Sequence, residues 1–453
     1  MISTPTDART GPAPATGAME LGLSMGSIAA IAAAALVYIS GTFLIAEALG
    51  IKRPLQAALA VPIVLMGSYY VATRPRQLLN PLLGFVVLKT VAEITLRGTA
   101  VDLFDDVATL FGLAAILGAS ARASARSVRV ITVLAGVLAA MAILQWIVLF
   151  FQPDLQDELL AIDDEGKVVG GVHHVVALLG LATGEQYTLL GHSVTRLQSF
   201  AKEPSLNLVY FLIPSAIAFL RGGTLGMSLG VFMLGFSVLS LSGSVFLSLG
   251  FSGAAWLALR VFSVKKVLLW GSLSIFGAYM AALVSGQLKT VLALLETLSQ
   301  YGDFMSKKMS FTQRAGGAAE SLGSFASSPF GAPALPDIPG PWLINGVVMA
   351  GWLGGIMLVL FVRQLAIQLD RLDANRGRQL NVRIGILLLI GALTTVIVFN
   401  DYQMGNYAGL VLLGILYRML EAQNQADRDV ALFLAAPRPP PGSHAGEATA
   451  AHV

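Results

Sequence analysis

The sequence predicts an all-α polytopic membrane protein of about twelve transmembrane helices, and three observations carry that prediction. Only 12% of the 453 residues are charged, against 55% apolar, about half the roughly 25% charge of a soluble domain. With a mean hydropathy of +0.74, the chain has too few charged side chains to cover the roughly three soluble domains its length would otherwise form. Apolar runs of roughly 20 residues, the length that crosses a bilayer core, recur between polar breaks. Most of the basic residues, finally, fall on one side when those runs alternate across a membrane, with Lys52-Arg53 the one cluster in a short loop on the other.

The first run, near 25–46, starts too far in and runs too long for a cleaved signal peptide, so it reads as an anchor. Four more follow near 55–73, 78–97, 100–119 and 128–151. After a long polar stretch come runs near 205–220, 224–241, 245–262 and 267–286, and after a second such stretch 342–362, 382–399 and 405–420. Only Ser242-Gly243-Ser244 separates two of these, so 224–262 also reads as one long broken helix. The 47 glycines have no three-residue period, which excludes collagen and suits close helix approach. Gly222, Gly226 and Gly230, at steps of four on an apolar run, read as a packing face rather than a phosphate loop. The tails 1–20 and 434–453, rich in Pro, Ala, Gly and Thr, read as disordered, leaving 21–433 as a single transmembrane domain.

Arg74 and Arg76, the Arg122/Arg126/Arg129 group, Arg221, Arg260 with Lys265 and Lys266, and Arg371 through Arg383 all fall on one side of the alternating runs. That side reads as cytoplasm, with both termini on it. The net charge of +3 is too small and dispersed for nucleic acid. The absence of cysteine excludes a disulfide framework, a thiolate nucleophile and a cysteine-ligated metal. The stretches 152–204 and 287–341 are too long to be mere connections, and both lie on the opposite side, where chemistry is to be sought.

The first of these ends in Arg196, Lys202, Glu203 and Pro204, directly before a span. Arginine's planar fork binds phosphate oxygens in pairs and lysine adds a point charge, so Arg196 and Lys202 suit a lipid-linked phosphate at headgroup depth. The plainer reading is an interfacial anchor followed by a helix cap. Lys307, Lys308 and Arg314 in the second loop stand against the usual charge bias and call for an anionic partner, either the headgroups of membrane lipids or a bound diphosphate. His192 could serve as a general base, although a lone histidine is more often a surface residue. Adjacent His173 and His174 point apart on any regular element, and no HExxH spacing exists, so no metal is assigned. Lys89, Glu93 and Arg97 recur at steps of four on one face of the third span. Ionisable groups at that depth are functional candidates, such as cavity lining, or else an internal ladder in which Lys89 and Glu93 satisfy each other. Asp401, in Asn400-Asp401-Tyr402, could add a carboxylate or simply close a turn.

Taken in order, these stretches resemble the bacterial O-antigen polymerase and O-antigen ligase superfamily, which includes exopolysaccharide polymerases. Arg196…Phe200…Glu203-Pro204-Ser205 resembles the family's arginine and helix entry after a periplasmic loop. Ser237-Val238-Leu239-Ser240-Leu241-Ser242-Gly243-Ser244 resembles its serine-rich break. Arg314…Ser328-Pro329-Phe330-Gly331 resembles its second periplasmic arginine with a Pro-hydrophobic-Gly stretch, and Gly351-Trp352-Leu353-Gly354 its Gly-x-x-Gly span opening. The resemblance covers roughly residues 128–363. It implies a glycosyltransferase C-like inner-membrane enzyme that needs no cofactor and acts on undecaprenyl diphosphate-linked oligosaccharide, with a chain-length regulator as the kind of protein partner it allows. Arg196 and Arg314 would bind the diphosphate, with Lys202, Lys307 and Lys308 nearby, and Glu203 or His192 would take the acceptor's proton. Many members, ligases especially, carry a His-Asn pair before the Gly-x-x-Gly; here Gly340-Pro341-Trp342-Leu343-Ile344-Asn345 has no histidine, which favours a polymerase. A ligase of finished glycan, and a transporter or lipid-linked glycan flippase, are the alternatives.

Overall fold

The computed structural model describes residues 24–40, 52–74, 79–97, 100–151, 160–162, 174–176, 186–189, 192–195, 207–240, 242–285, 329–333, 341–399 and 406–435. The tail 1–20, most of both long loops and residues 436–453 lie outside these. So do Arg196, Lys202, Glu203, Lys307, Lys308, Arg314, His173 and Asp401.

Twelve helices make up the bundle among the described residues. They are α1 (Met25–Ser40), α2 (Lys52–Thr73), α3 (Pro81–Ala92, prolonged by a π-helical turn Glu93–Arg97), α4 (Ala100–Gly118) and α5 (Ala121–Phe151). Next come α6 (a π turn Leu208–Leu212, then Ile213–Arg221), α7 (Gly223–Leu239), α8 (Gly243–Ala258) and α9 (Val264–Lys266, a π turn Val267–Gly271, then Ser272–Val284). The last are α10 (Trp342–Arg376), α11 (Leu380–Phe399) and α12 (Tyr407–Ala435). Between α5 and α6 two short antiparallel hairpins pair β1 (Leu160–Ile162) with β2 (His174–Val176) and β3 (Gln186–Leu189) with β4 (His192–Thr195).

Each apolar run of the sequence falls on a helix, but the boundaries differ for a physical reason. A hydropathy run marks what the bilayer can hold, whereas the helix continues for as long as its residues tolerate helical backbone. Thus α5 begins at Ala121 in an arginine-bearing turn, and α12 runs on through Asn424 and Asp427 to Ala435, two residues into the stretch assigned to the tail. The run at 224–262 is two helices, α7 ending at Leu239 and α8 starting at Gly243. By length and composition four helices can cross a membrane among the described residues: Arg53–Thr73, Ala121–Val148, Trp342–Arg376 and Leu380–Val398. Shorter apolar helices are Met25–Ile39, Leu208–Arg221, Gly223–Leu239 and Gly243–Ala258. Val61, Leu65, Leu225, Val231 and Trp270 stand exposed around the bundle, as lipid-facing side chains do.

Glycine and hydroxyl residues bring the helices together. A Cβ on Gly391 of α11 would overlap the Ser248 carbonyl of α8, where Ser248 Oγ donates to Thr395 Oγ1 at 2.9 Å. Gly222 and Gly223, both at φ +73°, turn α6 sharply into α7, so that Ser215 Oγ reaches the Gly230 carbonyl at 2.7 Å. A Cβ on Gly226 would lie 2.7 Å from the Ala218 carbonyl and one on Gly230 3.0 Å from the Phe219 ring. The expected packing face is there, with Gly222 serving the turn instead. At one end of the bundle basic residues cap helices and join them. Arg74 donates to the Gly118 carbonyl at 2.9 Å, and Arg418 to that of Ala119 at 3.0 Å. Arg376 pairs with Asp427, and Arg383 with Asp373 at 3.0 Å. Arg97 marks the opposite end.

Candidate functional site

The one group of predicted site residues that the structure describes in full is the ladder on α3. It faces the protein interior, with Glu93 buried and the Lys89 and Arg97 side chains largely covered. The partners differ from the sequence expectation. Lys89 does not pair with Glu93; its Nζ donates to Asp106 Oδ1 of α4 at 2.5 Å, while Arg97 Nη1 donates to Glu93 Oε2 at 2.8 Å. Lys89 turns instead to α4, which presents the Asp106 carboxylate to it, and Glu93 is left to Arg97. Asp106 is the residue sequence reasoning passed over. Its signal was available, since Asp102, Asp105 and Asp106 crowd the start of an otherwise apolar run.

Arg97 reaches further than Glu93. Its Nε donates to the Ala332 carbonyl, and Nη2 to the Val348 and Met349 carbonyls, all at 3.1 Å. Those two carbonyls are free because α10 is not one straight helix. At Gly351 the backbone takes φ +72°, ψ −179°, a combination essentially restricted to glycine, and the chain turns a corner. The short arm 342–350 folds back on the longer one. A Cβ on Gly346 would overlap Leu358, one on Gly354 would overlap Ala350, and one on Gly355 would overlap Val347. A run expected to span at 342–362 is therefore a helical hairpin. The short arm, about 13 Å long at about 1.5 Å per residue, cannot cross the hydrocarbon.

The segment 329–333 docks on this corner. Trp352 N donates to the Pro329 carbonyl at 3.0 Å, and Ala332 N to the Val348 carbonyl at 2.8 Å. Gly351 has no room for a side chain because a Cβ there would overlap the Pro329 carbonyl. Gly331, at φ +109°, lets the docked segment turn beneath Arg97. Two stretches quoted separately from the sequence, around Pro329-Phe330-Gly331 and around Gly351-Trp352, are in direct hydrogen-bond contact. The ladder arginine holds both.

Beside the corner lies an apolar groove of about 400 Å³, walled by Leu343, Ile344 and Val347 of the short arm, Trp352, Ile356 and Val359 of the long arm, and Phe276 of α9. Trp352 and Ile356, about half exposed, form its open side. Its lining is apolar and offers nothing to a polar group.

Of the remaining candidates, His192 opens β4 opposite Leu189. Arg196, Lys202, Glu203, Lys307, Lys308, Arg314 and Asp401 lie outside the described residues, so the structure brings none of them to the corner or away from it. Asn207, at the head of α6, is fully buried, and neither amide atom finds a hydrogen-bond partner among the described residues. Among the described residues no group of three or more His, Cys, Asp and Glu side chains is placed to hold a metal ion. No protein-family model, no curated protein and no solved structure matches this chain.

Proposed function

We propose that this chain is an inner-membrane polysaccharide polymerase, a glycosyltransferase that joins undecaprenyl diphosphate-linked oligosaccharide repeats into a longer surface polysaccharide on the periplasmic side. The single observation that carries the reading is the hydrogen bonding of Trp352 to Pro329 at the Gly351 corner. The resemblance is a matter of motif order along the chain, and each motif alone is weakly specific. That two of them meet around one broken helix supports treating them as parts of one site. In this reading the basic end of the bundle is cytoplasmic and the corner, both long loops and the head of α6 are periplasmic, with about twelve crossings in between.

The chemistry follows from the residue types. An acceptor hydroxyl oxygen attacks the anomeric carbon of the donor sugar, the bond from that carbon to the diphosphate oxygen breaks, and undecaprenyl diphosphate leaves with the electron pair. Arg196 and Arg314 stabilise the charge that develops on the departing diphosphate, supported by Lys202, Lys307 and Lys308. The hydroxyl proton passes to Glu203, or failing that to His192. Polar groups at the corner hold segment 329–333 of the second loop, and the apolar groove lies beside the same corner.

Deletion of the gene and complementation with variants tests the reading. The deletion strain should accumulate single lipid-linked repeats, and Arg196→Ala or Arg314→Ala should fail to restore long polymer on gels. Lysine at either position keeps the charge but loses the bidentate fork, so it should restore polymer only in part. Undiminished polymer with both alanine variants would overturn the residue roles, and accumulation of long lipid-linked polymer in the deletion strain would make the protein a ligase.

A further inference from the structure

At the basic end of the bundle several arginines have partners within the chain. Arg74 and Arg418 donate to the Gly118 and Ala119 carbonyls, Arg126 Nη1 donates to Ser27 Oγ at 3.0 Å, and Arg376 and Arg383 pair with aspartates. Arg221 differs. As the last residue of α6 it occupies the position from which an arginine ordinarily caps the final carbonyls of a helix. Those carbonyls are already taken: Gly222 N donates to Ala218 and Phe219, Asn381 Nδ2 to Phe219 at 3.0 Å, and Gln423 Nε2 to Leu220 at 3.2 Å. Arg221 is left with Nη1 buried and without a hydrogen bond, the one guanidinium nitrogen in that condition among the described residues.

The charge that acts on Arg221 is a second cation. Arg129, exposed on α5, stands near enough to repel it. Four carboxylates of α10 and α12 that could answer the pair are engaged elsewhere: Asp373 with Arg383, Asp427 with Arg376, Glu421 with Arg418, and Asp370 with Lys265 N at 3.1 Å. Asp429 stands exposed further along α12. Gln423 Oε1 is also buried without a hydrogen bond, but a neutral amide oxygen can only accept an N–H and leaves both positive charges uncompensated.

We propose that Arg129 and Arg221 form an anion site at the basic end of the bundle, in which a phosphate group bridges the two guanidiniums. Phosphate has oxygens enough to accept from both forks and charge to offset both. The approach is open, because Gly223 and Thr224 beside Arg221 are exposed and a Cβ on Gly223 would meet nothing within 4 Å. The phosphate comes either from the headgroup of an anionic membrane lipid or from solution as the free ion.

Thermal midpoints of the protein, purified in neutral detergent and phosphate-free buffer, test the site with three probes: inorganic phosphate, phosphatidylglycerol and phosphatidylcholine. A ligand of the folded state raises the midpoint. Phosphatidylglycerol, inorganic phosphate or both should raise it by several degrees, and phosphatidylcholine should not. A rise with phosphatidylglycerol alone assigns the phosphate to a lipid headgroup, whereas a rise with inorganic phosphate shows that the free ion suffices. Arg129→Gln and Arg221→Gln should each reduce the rise several-fold. Lys266→Gln removes an equal charge from an exposed position on α9 and should leave it intact. Without any probe Arg129→Gln should leave the midpoint unchanged or raise it, since a repulsion is removed, and this exposed position decides the matter even if Arg221→Gln fails to fold. The proposal is overturned by no rise with either anionic probe, by an equal rise with phosphatidylcholine, by an undiminished rise in Arg129→Gln, or by an equal loss in Lys266→Gln. None of these residues takes part in the proposed polymerase chemistry, whose own test is polymer length.

Discussion

Two glycine corners turn this chain back on itself, and they are held in opposite ways. At Gly222 (φ +73°, ψ −167°) the turn is satisfied mostly from nearby: Gly222 N donates to the Ala218 and Phe219 carbonyls, with Asn381 of α11 adding one bond to Phe219 at 3.0 Å. At Gly351, with almost the same dihedrals, the freed groups are satisfied by Pro329, Ala332 and an arginine about 250 residues earlier in the chain. The first corner is held mainly by its own helix, with one bond from α11. The second exists only once the rest of the bundle has assembled around it.

The comparison can be broken most severely at Glu93. Glu93→Ala leaves a buried arginine without its counter-charge, a loss of about 3–5 kcal/mol for such a pair, and should lower the thermal midpoint of the detergent-purified protein more than any other single change considered. The glycines themselves come next. Gly222→Ala should cost about 1–3 kcal/mol for the dihedral alone, since its new Cβ meets only the flexible Asn381 amide at 3.1 Å. Gly351→Ala incurs the same dihedral cost and an overlap with the Pro329 carbonyl, adding about 1–3 kcal/mol of overpacking. Equal destabilisation of the two would mean that the docked segment does not press on the corner. Smallest of all should be Asp373→Asn at the basic end. The Arg383–Asp373 pair is partly exposed, with side-chain exposures of 31% and 23%, so its loss should stay within about 1 kcal/mol.

The ladder shows where reading the sequence reached and where it stopped. Steps of four placed Lys89, Glu93 and Arg97 on one helix face, and that face does point inward. The pairing was beyond reach because Asp106 belongs to a different helix whose rotation only packing sets. The same limit hid the corner. Gly351-Trp352-Leu353-Gly354 sits inside an apolar stretch with no polar break, whereas Arg221-Gly222-Gly223 interrupts two runs visibly. The candidate diphosphate residues were legible only as charges on the unexpected side of a membrane, which fixes neither their distances nor their orientation.

What the sequence determined by itself is therefore the list of helices and their apolar character: too few charges for water, and apolar runs that each fall on a helix among the described residues. What only the tertiary structure decided is how those helices end, break and pair. Hydrophobicity is a sum over residues and can be read along the chain, whereas the partners of Arg97 are carbonyls on two segments more than two hundred residues away, and such partners exist only after folding has brought them within 3.1 Å.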